Sequence, residues 1–417
     1  MKQDASDFWI DYRTAHPHRF PRLQAGPFPA EAIVRLSETE RRAALEAALI
    51  LDLCPYRADQ QEGFVEAAGR LVAEALEPAT RSRIRRVLDE GLGGVLLDNL
   101  PVDAELPRTP ASGGSLPVDA KGTFVTEALL LGLGTLFDSE PFNFHQEGEG
   151  TAPLIDNIVP VKRLRTQKGA GGYDGSFPFH CESAWHRKSP DYLALIGIRG
   201  HPQATTLLFS VEHFEGGKFP LDTLPPDDHF RLRAPDLYLQ MEAAGQPMGT
   251  ARHVERAPIQ VDGANLELKV NFNGTSCHDR ATVDWLRGLE EFIEGQAVGA
   301  VLDEGNALIL NNRRTCHSRT GYEPAFDGFD RWFARAYFKR DLWARDPSLV
   351  PVEVRRLADS FRPEMLARGW LDDDGQLTQG FVRCVEDPEA LRALSPRDAE
   401  LASVAFHFTP VAGSRIV

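Results

Sequence analysis

From Pro153 onward the chain is a succession of short β-type segments, and this pattern narrows its possible folds more than any other feature. LIDNIVPV, SFPFHCES, DYLALIGIRG, ATTLLFSV, LYLQM, APIQV, LELKVNF, ALILNN and RWFARAYF are rich in branched and aromatic residues and are separated by Gly, Pro and Asp turns. Such a run implies sheets packed into a sandwich or closed into a barrel. One amphipathic helix interrupts it: in ATVDWLRGLEEFIEG, Val283, Leu286, Leu289 and Phe292 recur at helical spacing, so this insertion is expected to cover one side of a sheet.

The preceding part reads as helical. Ser37 and Glu40 in SETERRAALEAALILDL fit a capping box ahead of a helical apolar period. GFVEAAGRLVAEAL and a third stretch after Pro78 complete a helical opening region, and the pattern turns to strand at GGVLLDNLPVD. Residues 101–121, rich in Pro, Gly and Ser, read as a long loop over the domain surface. Residues 122–137, GTFVTEALLLGLGTLF, are apolar on nearly all sides and suit a buried helix against a sheet, despite the two internal glycines, Gly132 and Gly134. Beyond DLWARDPSLVPVEVRRLADSF the pattern is again helical and irregular.

The 417 residues suffice for a large catalytic domain with additions, and no apolar run approaches the roughly 20 residues of a membrane helix. The opening MKQDASDFWIDYR lacks the apolar core of a secretory signal, so a cytoplasmic location is expected. Five cysteines, widely spaced and without CxxC, point to reduced thiols. A net charge of −15 without a long basic run disfavours a nucleic-acid partner. The most basic stretch, RSRIRRVLDEG from Arg81, carries Ile84, Val87 and Leu88 at helical spacing and reads as a solvated helix face.

The chemistry gathers in FPFHCESAWHRKSPD and NNRRTCHSRTGY. On a strand, residues i and i+2 share a face, so His180 and Glu182 can point together while Cys181 points away. A third ligand must come from another strand, and His317 stands 137 residues after His180, at the end of ALILNN and its turn. Two histidines and one carboxylate on one face leave coordination positions open, as in non-haem Fe(II) oxygenases. Fourteen residues past His317 comes Arg331, and Arg335 follows four further on, able to share its face. A buried arginine needs an anion, and its planar fork suits a carboxylate. For Arg331 the anion is either a dicarboxylate cosubstrate or one of the neighbouring Asp327 and Asp330. His186 reads as a supporting residue, since a fourth protein ligand would close a position that dioxygen needs.

With these residues in place, the chain resembles the clavaminate synthase-like branch of the Fe(II)/2-oxoglutarate dioxygenases, nearest in pattern to the asparagine and arginine β-hydroxylases. The resemblance runs over roughly residues 92–342, through TEALLLGLGTLF, NIVPVKRLRTQ, FHCESAWHRKSPDYLALIGIRG, TTLLFSV and GNALILNNRRTCHSRTGYEPAFDGFDRWFARAYF. It implies an α+β fold whose core is a double-stranded β-helix, a distorted jelly roll with flanking helices. The organisation is then a helical N-terminal region (1–91), the dioxygenase domain (92–342) and a C-terminal appendage (343–417). It implies that His180, Glu182 and His317 are catalytic ligands of Fe(II), and that Arg331 grips the distal carboxylate of 2-oxoglutarate with Thr206 beside it. Arg335 matches a position that binds the α-carboxylate of an amino-acid substrate. 2-Oxoglutarate and O2 are the implied cosubstrates, with succinate and CO2 formed as an unactivated C–H is hydroxylated.

Departures from the pattern bear on the substrate, a small molecule expected to be an amino acid or derivative. About 46 positions before the distal histidine the relatives place an acid on the substrate side chain, and here stands Asn271, with Asn273 two residues on. Glu147 and Glu149, in HQEGEGTAPLIDN, lie near where relatives contact the substrate's head group. Diverted rebound gives desaturation or cyclisation; halogenation is disfavoured because Glu182 occupies the position that a halogenase leaves small. Two readings from other classes stand beside this one: a zinc hydrolase with the same three ligands, which leaves Arg331 unexplained, and a non-catalytic sandwich that binds a small acid.

Overall fold

The computed structural model describes residues 9–16, 25–57, 59–143, 154–185, 189–233, 253–262 and 265–340, with short pieces between 362 and 401. The expected strand LYLQM and most of the region after residue 340 lie outside the described residues.

Two mostly antiparallel sheets form the centre. The larger has strand order β3 (Ile33–Arg35), β4 (Gly94–Asp98), β16 (Ala307–Asn311), β8 (Tyr192–Arg199), β18 (Trp332–Lys339) and β5 (Glu140–Phe142), and β6 (Asp156–Ile158) also pairs with β18. The smaller runs β2 (Gly26–Pro27), β15 (Val298–Val301), β9 (Thr205–Ser210), β17 (Thr315–Arg319) and β7 (Phe177–His180). A third sheet joins β1 (Ile10–Asp11), β14 (Thr275–Cys277), β10 (Phe230–Arg233) and β11 (His253–Glu255), and β12 (Ile259–Asp262) pairs with β13 (Asn265–Leu268). The two-residue and three-residue strands β1, β2 and β3 edge these sheets although the opening region reads as helical; their runs are too short to show a period.

Strand alternation sorts the core into layers. Along β18, Trp332, Ala334, Ala336 and Phe338 join a cluster with the helices, while Phe333 and Tyr337 turn to an inner cluster with Leu193, Leu195, Leu308, Leu310 and Leu208. Because both faces of the larger sheet are covered, its strands read as continuous apolar runs. The helical side is built by α2 (Glu38–Leu49), α3 (Gln61–Ala75), α4 (Pro78–Asp89) and α5 (Val125–Gly132), after the short α1 (Tyr12–Ala15). The capping box of α2 is formed: Glu40 N donates to Ser37 Oγ at 3.2 Å and Ser37 N to Glu40 Oε2 at 2.9 Å. All of α5 is buried, and it tightens to a 3-10 turn over Leu133–Phe137. Gly132 is needed there, since a Cβ would stand 2.3 Å from Ala68 O of α3.

On the far side of the smaller sheet lies α6 (Arg280–Gln296), whose Val283, Leu286, Leu289 and Ile293 pack with Leu207, Phe209 and Cys316. It covers that sheet, as its periodicity implies. The 101–121 segment is irregular, but it does more than lie on the surface: Asp103 and Lys121 are buried. Cys54, Cys181, Cys277 and Cys316 are free thiols. No described helix is long and apolar enough to cross a membrane.

Candidate active site

The site lies at the inner face of the smaller sheet, where β7 and β17 pair. His180 and His317 are direct cross-strand partners, with ring centroids 4.3 Å apart. His317 stands on a strand of its own rather than in the turn after ALILNN. Glu182 also departs from expectation, since β7 ends at His180 and residues 182–185 form a turn in which Ser183 takes a left-handed φ of 49°. Strand alternation therefore does not aim Glu182. A distant carboxamide does: Asn312 Oδ1 accepts from Glu182 N at 2.7 Å, and Asn312 Nδ2 donates to Glu182 O at 3.0 Å and Pro190 O at 2.9 Å. Cys181 turns away as expected, with its thiol at Thr315 O.

The three side chains converge. His180 Nδ1 lies 3.0 Å from Pro178 O, and donation there leaves Nε2 facing Glu182 Oε1 at 3.7 Å. His317 Nε2 is 3.4 Å from the same oxygen. Glu182 and His317 are buried and His180 mostly so, and they can offer one ligand atom each within 4.8 Å of one another. Burial opposes ionisation of Glu182, yet the Arg335 guanidinium and the two histidines outweigh it and hold the carboxyl well below its usual range. Burial, then the neighbouring His180, push His317 down to about 4, so it is neutral near pH 7, as a metal ligand must be.

Arg335 donates to Glu182 Oε1 at 3.2 Å and to Asp156 Oδ2 at 2.5 Å, while Tyr337 OH donates to Glu182 Oε2 at 2.8 Å. Arg331 is different. It is 4% exposed and stacks on the Phe333 ring at 3.7 Å, but its Nε and Nη1 meet no acceptor among the described residues. Neither neighbouring acid serves it: Asp330 accepts from Phe326 N and Asp327 from Phe329 N. The hydroxyl of buried Thr206 also lacks a partner among the described residues. Thr206 faces Arg319 across β9 and β17, one step along the same face from the Leu208–His317 pair. Burial and the nearby Arg331 pull Arg319 down to about 10. Two buried guanidinium groups and a hydroxyl without a partner among the described residues make surroundings that suit an anion.

Asn271 reaches the site as an isolated bridge partner of His180, with its carboxamide engaged by Gly274 N at 3.2 Å and Arg233 O at 3.4 Å. Asn273 points elsewhere, to Lys168 O. Glu147, Glu149 and His186 lie outside the described residues. Sequence reasoning missed Asn312, Tyr337 and Asp156. Tyr337 had a signal, being two residues beyond Arg335 on the same face; Asn312 and Asp156 had none, because their contacts span 130 and 179 residues.

No family model matches the chain. It is 30% identical over 266 residues to the L-asparagine oxygenase of Streptomyces coelicolor, covering 63% of this chain and 75% of that protein. Clavaminate synthase 2 of Streptomyces clavuligerus is 28% identical over 326 residues, covering 71% of this chain and 93% of that one. A crystal structure of asparagine oxygenase superposes with a TM-score of 0.62 at 25% identity, over 74% of this chain and 93% of that one. The chain therefore belongs to the family of asparagine oxygenase and clavaminate synthase, the Fe(II)/2-oxoglutarate oxygenases.

Proposed function

We propose that this protein is an Fe(II)/2-oxoglutarate-dependent hydroxylase that oxidises an unactivated C–H bond of a free amino acid or close derivative. The observation that carries the reading is a His180–Glu182–His317 cluster together with a buried Arg331 that finds no anion among the described residues. In this reading the two facing sheets are the halves of a double-stranded β-helix, and the dioxygenase domain is the stretch near 92–342.

His180, Glu182 and His317 would hold the iron, which supplies oxidative decarboxylation of 2-oxoglutarate and the oxidant for the C–H bond. Neutral imidazoles and an ionised carboxylate are the forms such a metal takes. Arg331 and Thr206 receive the distal carboxylate of the cosubstrate, the anion their unpaired N–H and O–H groups require. Arg335 steers Glu182 and is the candidate for the substrate's α-carboxylate, held in place by Asp156. Phe177, stacked on His180 at 4.1 Å, screens one side of the ligand ring from water. The amide at Asn271, in place of an acid, favours a substrate side chain without a positive charge. Glu147 and Glu149 are proposed for the substrate's amino group. The zinc-hydrolase reading gives Arg331 and Thr206 no anion, and the non-catalytic reading, which would supply an acid there, leaves the His180–Glu182–His317 cluster without a role.

The test is anaerobic addition of Fe(II) and 2-oxoglutarate, which is expected to give a weak visible charge-transfer band in wild type and none after Glu182→Ala. A panel of amino acids screened for succinate and a one-oxygen mass gain then identifies the substrate. A folded, iron-loaded protein without the band overturns the reading.

A further inference from the structure

A second group of metal-type ligands lies away from the active site, where the third sheet meets the N-terminus of α6. His229 closes the 3-10 turn Asp227–His229 immediately before β10, His278 follows β14, and Asp279 caps α6. The β10–β14 ladder brings them together: Phe230 pairs with Cys277, and His278 N donates to His229 O at 2.9 Å. The two imidazoles therefore stand side by side, with centroids 5.1 Å apart and planes at 31°.

The two oxygens of Asp279 have different surroundings. Oδ1 accepts from Thr282 N at 2.8 Å and caps the helix. Oδ2 faces both histidines, 3.8 Å from His229 Nδ1 and 3.7 Å from His278 Nδ1. Both separations exceed a hydrogen bond, so the two rings converge on one carboxylate oxygen without bonding to it. In a tetrahedral zinc site, with metal–ligand bonds near 2.0–2.1 Å, neighbouring ligand atoms stand about 3.3 Å apart. Each imidazole nitrogen must close on Asp279 Oδ2 by only a few tenths of an ångström, and the ligand atoms of the three residues all lie within 4.8 Å of one another. The side chains are 32%, 60% and 43% exposed for His229, His278 and Asp279, so small rotations are free and a metal has access from solvent. His229 Nδ1 also lies 3.3 Å from Thr282 Oγ1, a contact that a metal would displace.

We propose that His229 Nδ1, His278 Nδ1 and Asp279 Oδ2 form a second metal site, for a zinc-class divalent ion, with solvent completing the coordination. Two imidazoles and one carboxylate favour borderline ions such as Zn(II) over Mg(II) or Ca(II), which prefer all-oxygen shells. The ion ties β10, β14 and α6 together at one point. Asn271, the bridge partner of His180, accepts through its main-chain oxygen from Thr275 Oγ1 at the start of β14, so the clamp steadies the segment that borders the active site.

The test is equilibrium dialysis of the metal-free full-length protein against micromolar zinc chloride. Wild type is expected to bind two equivalents, and His278→Ala and His229→Ala one each, with the active-site equivalent retained. Glu182→Ala is expected to keep the second equivalent, and zinc should raise its thermal midpoint by a few degrees but leave that of Glu182→Ala/His278→Ala unchanged. One equivalent in wild type with none left in Glu182→Ala overturns the proposal. So do two equivalents surviving in both histidine variants, or a second equivalent seen only at millimolar zinc.

Discussion

Two buried clusters of charge in this molecule are built on opposite terms. In the first, Lys121 Nζ lies 2.7 Å from both Asp103 Oδ2 and Glu127 Oε2, and none of the three side chains is exposed. Asp103 also accepts from Val125 N, Thr126 N and the Thr123 and Thr126 hydroxyls, capping α5, while Tyr56 OH donates to Glu127. In the second, Arg331 and Thr206 are buried to a similar degree and have polar atoms with no protein partner. Burial of charge is common to both. The closed cluster organises a loop and a helix; the open one holds the polar groups proposed to meet the cosubstrate's carboxylate.

The largest expected difference is in stability. Lys121→Met leaves Asp103 and Glu127 without their shared cation, and breaking such a buried set should destabilise the protein by about 3–5 kcal/mol in urea unfolding. Arg331→Leu removes a cation that no described protein group compensates, so the cosubstrate-free protein should be unchanged or slightly more stable. The same variant should lose the charge-transfer band at 2-oxoglutarate concentrations that saturate wild type. Equal destabilisation by the two substitutions would break the comparison.

A smaller difference concerns pH. Burial and His180 push His317 from its ordinary 6.5 down to about 4. Its folded form therefore takes up a proton less readily than the unfolded chain. Stability from this group is full above about pH 6.5 and is lost progressively as pH falls toward 4, a loss of at most ~3 kcal/mol. Saturating divalent metal should deepen the loss, because protons then compete with it for the ligands. His317→Gln should flatten the metal-free profile in this range; a slope unchanged by the substitution would show that other groups carry it.

What could be read from the sequence follows the same division between local and distant contacts. His180, His317, Arg331 and Arg335 sit on or beside strands whose alternation is visible in the residues themselves, and the capping box of α2 spans three positions. Glu182 was legible as a residue but not as a geometry, since Asn312, 130 residues away, holds its turn. Lys121 and Asp103 lie in a stretch whose Pro, Gly and Ser content is that of a surface loop, and only the fold shows that both turn inward to Glu127. The edge strands β1–β3 were hidden because two or three residues carry no period.

The closed cluster meets the metal-ligand residues at β6, and the smallest expected effect tests that junction. Asn157 belongs to the closed side: its Nδ2 donates to Tyr56 OH at 3.2 Å and its Oδ1 accepts from Trp332 Nε1 at 2.8 Å. The preceding residue, Asp156, serves the metal-ligand cluster instead, through Arg335, which in turn bonds Glu182. A short strand fixed from behind by a neutral network thus sets a carboxylate against the site arginine. Asp156→Asn keeps the shape and removes the charge, so Arg335 keeps its place less firmly while Arg331 and Thr206 are untouched. KM for the amino-acid substrate should rise roughly tenfold, about 1.4 kcal/mol, with the 2-oxoglutarate requirement unchanged. Should the cosubstrate requirement rise in step, the substrate and cosubstrate arginines would be one coupled unit rather than two.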